Sequence, residues 1–79
     1  MIDKKAMGRN FASERARLGL TQAQLADELG TNNKSISQYE AGEYALPPEL
    51  ANAMADLCGC STDYLFARTD ERMPRVGAA

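Results

Sequence analysis

The chain has 79 residues and a formal net charge of −2, with two cysteines and no histidine. This length permits one domain whose small core needs economical helix packing or a partner, and it leaves no room for a second module within these residues. The apolar residues form no run long enough to cross a bilayer and no signal-peptide centre at the N-terminus, so we expect a soluble, cytoplasmic protein.

The first predicted element is a helix over about residues 7–18. Phe11 and Leu18 recur at helical spacing with small alanines between them, and Gly19 can take the left-handed conformation that closes a helix. Residues 1–6 are then expected to form an N-terminal arm. No stretch of the chain shows the alternating pattern of a strand, which predicts an all-α fold.

The second and third predicted helices are short and almost contiguous. Thr21 stands at the N-cap position of the second helix, which ends at Gly30. Thr31 or Asn32 can cap a third helix that runs from about residue 33 to residue 40 or 41 and stops before Gly42. Because so short a connection cannot turn the chain back antiparallel, the two helices are expected to cross steeply in a helix-turn-helix arrangement.

A fourth helix is predicted after Pro47 and Pro48, because proline favours the first turn of a helix. Its apolar positions recur at helical spacing and should face the core: Leu50, Met54 or Ala53, and Leu57.

A short fifth helix with the sequence DYLF is predicted after Ser61 or Thr62, either of which can cap it. Its Tyr64 and Leu65 should close the bottom of the core. Residues 67–79 are charged, contain a proline and end in small residues, which predicts a flexible C-terminal tail behind the domain.

The third predicted helix has two chemically distinct sides. At 100° per residue, its polar residues span roughly 140° of one side, at Asn33, Lys34, Ser37 and Gln38. Ile36 and Tyr39 fall on the opposite side and are expected to anchor the helix in the core. In a major groove, amides can pair with adenine, lysine with guanine and serine with either. An exposed helix face is usually polar whatever its function, so this pattern alone leaves base reading and a solvated face both open.

The segment Arg17 to Glu43, RLGLTQAQLADELGTNNKSISQYEAGE, resembles the Cro and phage-repressor type of helix-turn-helix domain, also called the xenobiotic response element type. The residues that match in type and spacing are Gln22, Ala26, Gly30, Ile36, Glu40 and Gly42. The likeness continues through PPELANAMADLCGCSTDYLF and covers about residues 7–66. It implies an all-α, compact, five-helix, lambda-repressor-like DNA-binding domain whose helix-turn-helix consists of helices 2 and 3.

The resemblance also implies roles for individual residues. The polar row Asn33, Lys34, Ser37 and Gln38 would read base edges from a recognition helix at about residues 33–41. Phosphate contacts would come from Gln22, Asn32, Gly42, Tyr44 and Arg9, with Lys4 and Lys5 as further basic candidates. Gln22 is otherwise a solvated first-turn residue, and Tyr44 could equally rest on the core. Arg15 and Glu40 would form a buried structural ion pair, which indicates a fixed geometry more than net stability.

The charge distribution limits the expected affinity. Residues 1–20 have a net charge of +3 and residues 67–79 of +1, whereas residues 21–66 have −6. The loop after the recognition helix contains Glu43 and no cation. Because each phosphate contact contributes about one unit of salt dependence, one chain is expected to bind DNA modestly and to require a homodimer. Dimer contacts are expected from helix 5 and the tail, unless these are core or tail residues only: Tyr64, Leu65, Phe66 and Met73.

The sequence provides little for other chemistry. Cys58 and Cys60 are separated by one glycine, so a disulfide between them would be strained and both are expected to be reduced thiols. A metal site needs about four ligands, and none is expected here unless two chains share it. No nucleophile has a base at hand and no phosphate-binding glycine loop is present, so neither an enzyme nor a cofactor is expected.

Two functional hypotheses follow. The first is a sequence-specific transcriptional regulator, a repressor of the prophage or mobile-element type, which binds a palindromic double-stranded DNA operator as a homodimer with half-sites roughly 34 Å apart. The second is a protein-interaction module, such as an antitoxin or adaptor, whose acidic surface meets a protein instead of DNA. Steeply salt-dependent DNA binding would favour the first. No membrane or small-molecule partner is indicated.

Overall fold

The computed structural model describes residues 3–72, which form five α-helices and no strand. The helices are α1 (Lys4–Leu18), α2 (Gln22–Leu29), α3 (Asn33–Glu40), α4 (Pro48–Cys58) and α5 (Thr62–Leu65). The predicted all-α, five-helix fold is confirmed. Within the described range, no helix is both long and apolar enough to span a membrane.

Local caps set most of the helix ends. The Thr21 side chain accepts a hydrogen bond from the backbone of Gln24, and the Gln24 side chain accepts one from the backbone of Thr21, so the two form a capping box at the start of α2. Asn32 caps α3 by accepting a hydrogen bond from the Ser35 amide at 2.8 Å. Gly30 ends α2 with a φ of 72°, a left-handed conformation that glycine adopts without strain. These bounds agree with the sequence prediction because a cap acts over three or four residues.

Helix α1 begins at Lys4, three residues before the start that its apolar pattern predicts. The Asp3 side chain accepts a hydrogen bond from the Ala6 amide at 3.0 Å and acts as the N-cap. Lys4, Lys5 and Ala6 are therefore helical, although the sequence places them in an arm. Lys4 and Lys5 are polar and exposed and Ala6 is a small, half-buried residue, so this turn carries no apolar periodicity that could reveal it.

Each helix contributes one large, fully buried apolar side chain to the core. These residues are Phe11, Leu25, Ile36, Met54 and Leu65, in order from α1 to α5. Tyr39 packs partly buried against them, with its ring edge-on to Phe11 at a centroid distance of 6.4 Å. The anchoring of α3 by Ile36 and Tyr39 thus follows the predicted side of the helix.

Leu57 is 37% exposed and does not face the core as its spacing predicted. Helix α4 instead buries Ala51 and Met54 completely. Leu57 lies about 120° around the helix from Ala51 at 100° per residue, which places it at the edge of the buried face. The apolar spacing identified the helix correctly but assigned its buried side too broadly.

The N-terminal half of α1 lies directly on the C-terminal end of α3. A Cβ atom at Gly8 would stand 2.5 Å from the Glu40 carbonyl oxygen and 2.6 Å from that of Tyr39. A Cβ atom at Gly42 would stand 2.9 Å from the Lys5 Cα. The absence of a side chain at both glycines permits this approach, which fixes α3 relative to the rest of the domain.

The described part of the predicted tail is attached to the domain. The Ser61 amide donates a hydrogen bond to the Arg72 carbonyl oxygen at 2.7 Å. The Arg72 guanidinium forms an ion pair with Glu14, whose side chain is fully buried in α1. Residues 73–79, including Met73, lie outside the described residues.

Candidate nucleic-acid interface

Helix α3 presents its polar row to solvent. Asn33, Lys34 and Ser37 are exposed and Gln38 is half-buried, while Ile36 on the opposite side is 0% exposed. The side chains predicted to read bases therefore lie together on one accessible face. This face is held in position from behind by the core.

The Asn32 side chain has a structural task at the start of α3. Its Oδ1 atom accepts the hydrogen bond from the Ser35 amide that caps the helix. A phosphate oxygen needs a donor, so a contact from Asn32 to a DNA backbone would come from its Nδ2 group. The side chain is exposed, and such a contact is compatible with the cap.

Glu40, at the end of α3, is hydrogen-bonded to residues of both α1 and α2. Its Oε2 atom lies 2.6 Å from Arg15 Nε, and its Oε1 atom accepts a second hydrogen bond from Arg15 at 3.1 Å. Gln22 Nε2 donates to the same Oε1 atom at 3.0 Å. Arg15 also donates to the Leu20 carbonyl oxygen at 2.9 Å, and its hydrogen bonds with Glu40 raise the pKa of Arg15.

The contact from Gln22 to Glu40 was not predicted. An amide nitrogen carries two hydrogens, so Gln22 can donate one to Glu40 and present the other outward. The Gln22 side chain is half-buried, so the protein holds its orientation while part of it stays accessible to solvent. The two residues are 18 positions apart, and no local sequence pattern indicates that they meet.

The loop after α3 is accessible. Tyr44 is 55% exposed and does not rest on the core. Gly42 has a φ of 78° and lies beside Lys5 of α1. The backbone amide of Gly42 donates to the Tyr39 carbonyl oxygen at 3.1 Å, so this amide is already used within the chain. A phosphate contact at Gly42 would have to share or replace that bond.

Helix α1 places cations next to this cation-free loop. Lys5 and Arg9 are four residues apart and therefore share one face of the helix, and both are exposed. We call Lys5 and Arg9 the α1 basic face. Lys5 lies beside Gly42 because α1 packs closely on α3, a contact that the sequence does not reveal.

The residues predicted for a dimer interface have mixed positions. Leu65 is 0% exposed, which confirms the prediction that it closes the core and excludes the alternative that it lies in an interface. Tyr64 and Phe66 are partly buried against the core. The Arg68 guanidinium lies 5.3 Å from the centre of the Phe66 ring.

A group of possible metal ligands occurs elsewhere in the fold. Glu14, Cys58 and Cys60 each direct one ligand atom into a group whose atoms all lie within 4.8 Å of one another. Both cysteines are free thiols. The sequence prediction considered histidine and cysteine as ligands and did not include the carboxylate of Glu14.

Comparisons with known proteins agree with this geometry. A family model described as Helix-turn-helix matches residues 12–65. The cryptic phage CTXphi transcriptional repressor RstR of Vibrio cholerae is 40% identical over 63 residues, which cover 77% of this chain and 56% of RstR. The chain thus spans about half the length of that curated relative.

Solved structures show the same arrangement of helices. The P22 c2 repressor, crystallised with a synthetic operator, has a TM-score of 0.70 at 35% identity, covering 76% of this chain and 91% of that chain. The ClgR regulator of Corynebacterium glutamicum has a TM-score of 0.73 at 24% identity, covering 85% of this chain and 71% of that chain, and shows the fold alone. With a family model over most of its length and these relatives, the chain belongs to the helix-turn-helix family of the Cro and phage-repressor type.

Proposed function

We propose that the protein is a transcriptional repressor that binds double-stranded DNA in a sequence-specific manner, with α3 in the major groove. The observation that carries this proposal is the accessible polar row of α3. The opposite side of the same helix is buried in the core at Ile36. The similarity to RstR, a phage repressor, and to the P22 c2 repressor on its operator supports it.

Base reading would come from Asn33, Lys34, Ser37 and Gln38. A bidentate amide contact recognises the donor and acceptor pair of adenine, and a lysine recognises the two acceptors of guanine. Because Lys34 is the only cation in this row, the row is better suited to selecting a sequence than to gripping the phosphates. Sequence preference therefore depends mainly on the two amides.

Phosphate contacts would position α3 in the groove. Gln22 is supported by its hydrogen bond to Glu40, and it stands at the N-terminus of α2, where backbone N–H groups favour an anion. Asn32 and Tyr44 are exposed at the two ends of α3. The α1 basic face would supply the positive charge that the neighbouring loop lacks.

The protein would act as a homodimer on a palindromic operator, with half-sites roughly 34 Å apart. Two copies double the number of phosphate contacts and the number of bases that are read. No catalytic step and no cofactor are part of this function. A cytoplasmic location, expected from the sequence, is compatible with it.

The proposal is tested by selecting bound sequences from a random duplex pool and then measuring variants on the selected site. Asn33→Ala and Gln38→Ala should each relax base preference at particular positions, by about 1–3 kcal/mol per bidentate contact. Gln22→Ala should weaken all sequences alike. Asn52→Ala is the matched control, since Asn52 is an exposed amide of α4, and it should change neither affinity nor preference.

Two results would contradict the proposal. If Asn33→Ala, Gln38→Ala and Gln22→Ala all caused the same uniform loss, α3 would not read bases. If binding to mixed genomic duplex DNA were absent or independent of salt, a protein partner meeting the acidic surface would be the better hypothesis.

A further inference from the structure

Glu14 is a charged residue buried inside the domain. Its side chain is 0% exposed in the middle of α1. Burying a carboxylate is costly unless it is paired, and here Arg72 pairs with both of its oxygens, at 2.6 Å to Oε1 and 3.1 Å to Oε2. Arg17 lies 3.6 Å from Oε2 at the surface. The pairing therefore depends mostly on an arginine 58 residues away in the chain.

Two thiols complete the surroundings of this carboxylate. Cys58 ends α4, Gly59 reverses the chain with a φ of 70°, and Cys60 returns buried into the core. The reversal places both sulfur atoms near Glu14, and the three ligand atoms lie within 4.8 Å of one another. In a tetrahedral zinc site, bonds of about 2.0–2.3 Å separate neighbouring ligand atoms by about 3.3–3.8 Å. Small side-chain rotations would close the difference.

We propose that Glu14, Cys58 and Cys60 form a binding site for a thiophilic divalent cation of the zinc and cadmium class. Two sulfur donors select such ions over magnesium or calcium, which prefer oxygen ligands. Three protein ligands leave the fourth tetrahedral position to a solvent molecule. This site does not depend on the proposed binding of DNA.

The cation links the Glu14 carboxylate, which keeps its pairing with Arg72, to the two sulfur atoms. Each thiol loses its proton to solvent as its sulfur bonds to the metal, so one divalent ion binds and two protons are released. The bound group then consists of a dication, two thiolates and one carboxylate, with a net charge of −1. Because this net charge equals that of the Glu14 carboxylate alone, Arg72 remains the counter-charge of the group when the metal is bound. Removing Arg72 should therefore weaken metal binding, since the buried negative group would lose its partner.

The test is a titration of the reduced full chain with Cd²⁺, followed by the ultraviolet charge-transfer band from thiolate to cadmium. We expect one ion per chain and two protons released per ion. Cys60→Ser and Cys58→Ser should each weaken binding more than about tenfold, since even the loss of a supporting contact costs that much. Glu14→Gln should also weaken it, and so should Arg72→Gln, which removes the counter-charge of the metal-bound group. Glu49→Gln, which removes an exposed carboxylate of α4, is the matched control and should have no effect.

The Glu14 variant separates this site from simple capture of metal by a pair of thiols. If Glu14→Gln bound cadmium as the wild type does, the cysteines alone would account for binding and the proposal would be overturned. Absence of one-to-one binding by the wild type would also overturn it. Circular dichroism of each variant checks folding. If Glu14→Gln does not fold, the double variant Glu14→Gln with Arg72→Gln, which leaves neither charge unpaired, is compared with Arg72→Gln alone, and equal cadmium affinities of the two contradict the proposal.

Discussion

At the scale of single residues, the Glu40 carboxylate has three donor groups around it. Two belong to the Arg15 guanidinium and one to the Gln22 amide. The Glu40 side chain is only 9% exposed, whereas that of Arg15 is 23% exposed, so the carboxylate depends on its partners more than the guanidinium does. A substitution that removes Arg15 therefore leaves a nearly buried negative charge with one neutral donor.

Arg15→Met should lower the free energy of unfolding by about 3 kcal/mol, because breaking a buried ion pair strands the other charge. Denaturant unfolding measures this loss. Arg9→Met, which removes an exposed arginine from the same helix, should stay within about 0.5 kcal/mol of the wild type. The double variant Arg15→Met with Glu40→Leu should recover much of the loss, since it strands no charge. A double variant less stable than Arg15→Met would contradict this reasoning, because the carboxylate left without Arg15 would then stabilise the fold and not destabilise it.

The Cys58 thiol should react slowly in the folded protein. Burial, together with the nearby Cys60 thiol and Glu14 carboxylate, raises the pKa of Cys58 from 9.0 to about 12. Since the fold favours the neutral thiol, its contribution to stability is complete below pH 9.0 and is lost as the pH rises towards about 12. Alkylation by iodoacetamide of a Cys60→Ala variant, followed by mass spectrometry, should still accelerate above pH 9.0, because burial is the largest cause of the shift. When the same variant is unfolded in urea, the rate of alkylation should stop rising near the ordinary pKa of a cysteine. A rate that stops rising at that pH in the folded chain would contradict the prediction.

At the scale of helices, the packing of α1 on α3 determines where the polar row lies. The approach is closest at Gly8, which faces the last backbone carbonyls of α3 without an intervening side chain. Backbone atoms cannot rotate away as a side chain can, so a substituent at this position must push the two helices apart. The position of α3 relative to the α1 basic face would change with it.

Gly8→Ala should therefore destabilise the protein by about 3 kcal/mol, at the upper end of the cost of overpacking. Helix propensity alone predicts the opposite sign, because alanine favours a helix over glycine by about 1 kcal/mol. Ser13→Ala is the control, since Ser13 is exposed on the same helix, and it should be neutral or slightly stabilising. Thermal unfolding of the two variants distinguishes the effects, and a Gly8→Ala variant as stable as the wild type would show that α1 can move away from α3 at little cost.

At the scale of the whole molecule, the charges are separated along the chain but meet in the fold. The basic N-terminal segment forms the first turns of α1, and this helix lies beside the acidic loop that follows α3. A net charge of −2 is therefore compatible with a local positive surface next to the polar row. Such a surface is what a protein of low overall charge needs to approach a polyanion.

Lys5→Ala should reduce the slope of log affinity against log salt concentration by about 1.8 for the homodimer, because each of the two chains loses one phosphate contact that contributes about 0.9. Arg68→Ala changes the charge equally but removes an exposed residue paired with Asp63 beside α5, and the slope should remain that of the wild type. Fluorescence anisotropy over a range of salt concentrations measures both. Equal slopes for wild type and Lys5→Ala would place the α1 basic face outside the interface.

The amino-acid sequence by itself determined the helix bounds from α2 to α5 to within about one residue, together with the polar side of α3. Caps such as Thr21 and Asn32 and the helical periodicity of α3 act over three or four residues, so they are readable in a short window. The same window did not reveal the start of α1, because its cap at Asp3 precedes a turn with no apolar pattern. It also did not reveal the exposure of Leu57, which depends on how α4 is rotated against its neighbours.

Only the tertiary structure decided which distant residues share a site. It brought Gln22 to Glu40 across 18 positions and Arg72 to Glu14 across 58 positions, and it placed Lys5 beside Gly42. These contacts depend on the crossing of whole helices and on the close approach at glycines, since no local preference of the backbone favours them. The side chains that face DNA in our proposal were therefore legible in the sequence, whereas the groups that position them, and the carboxylate that joins two thiols, were not.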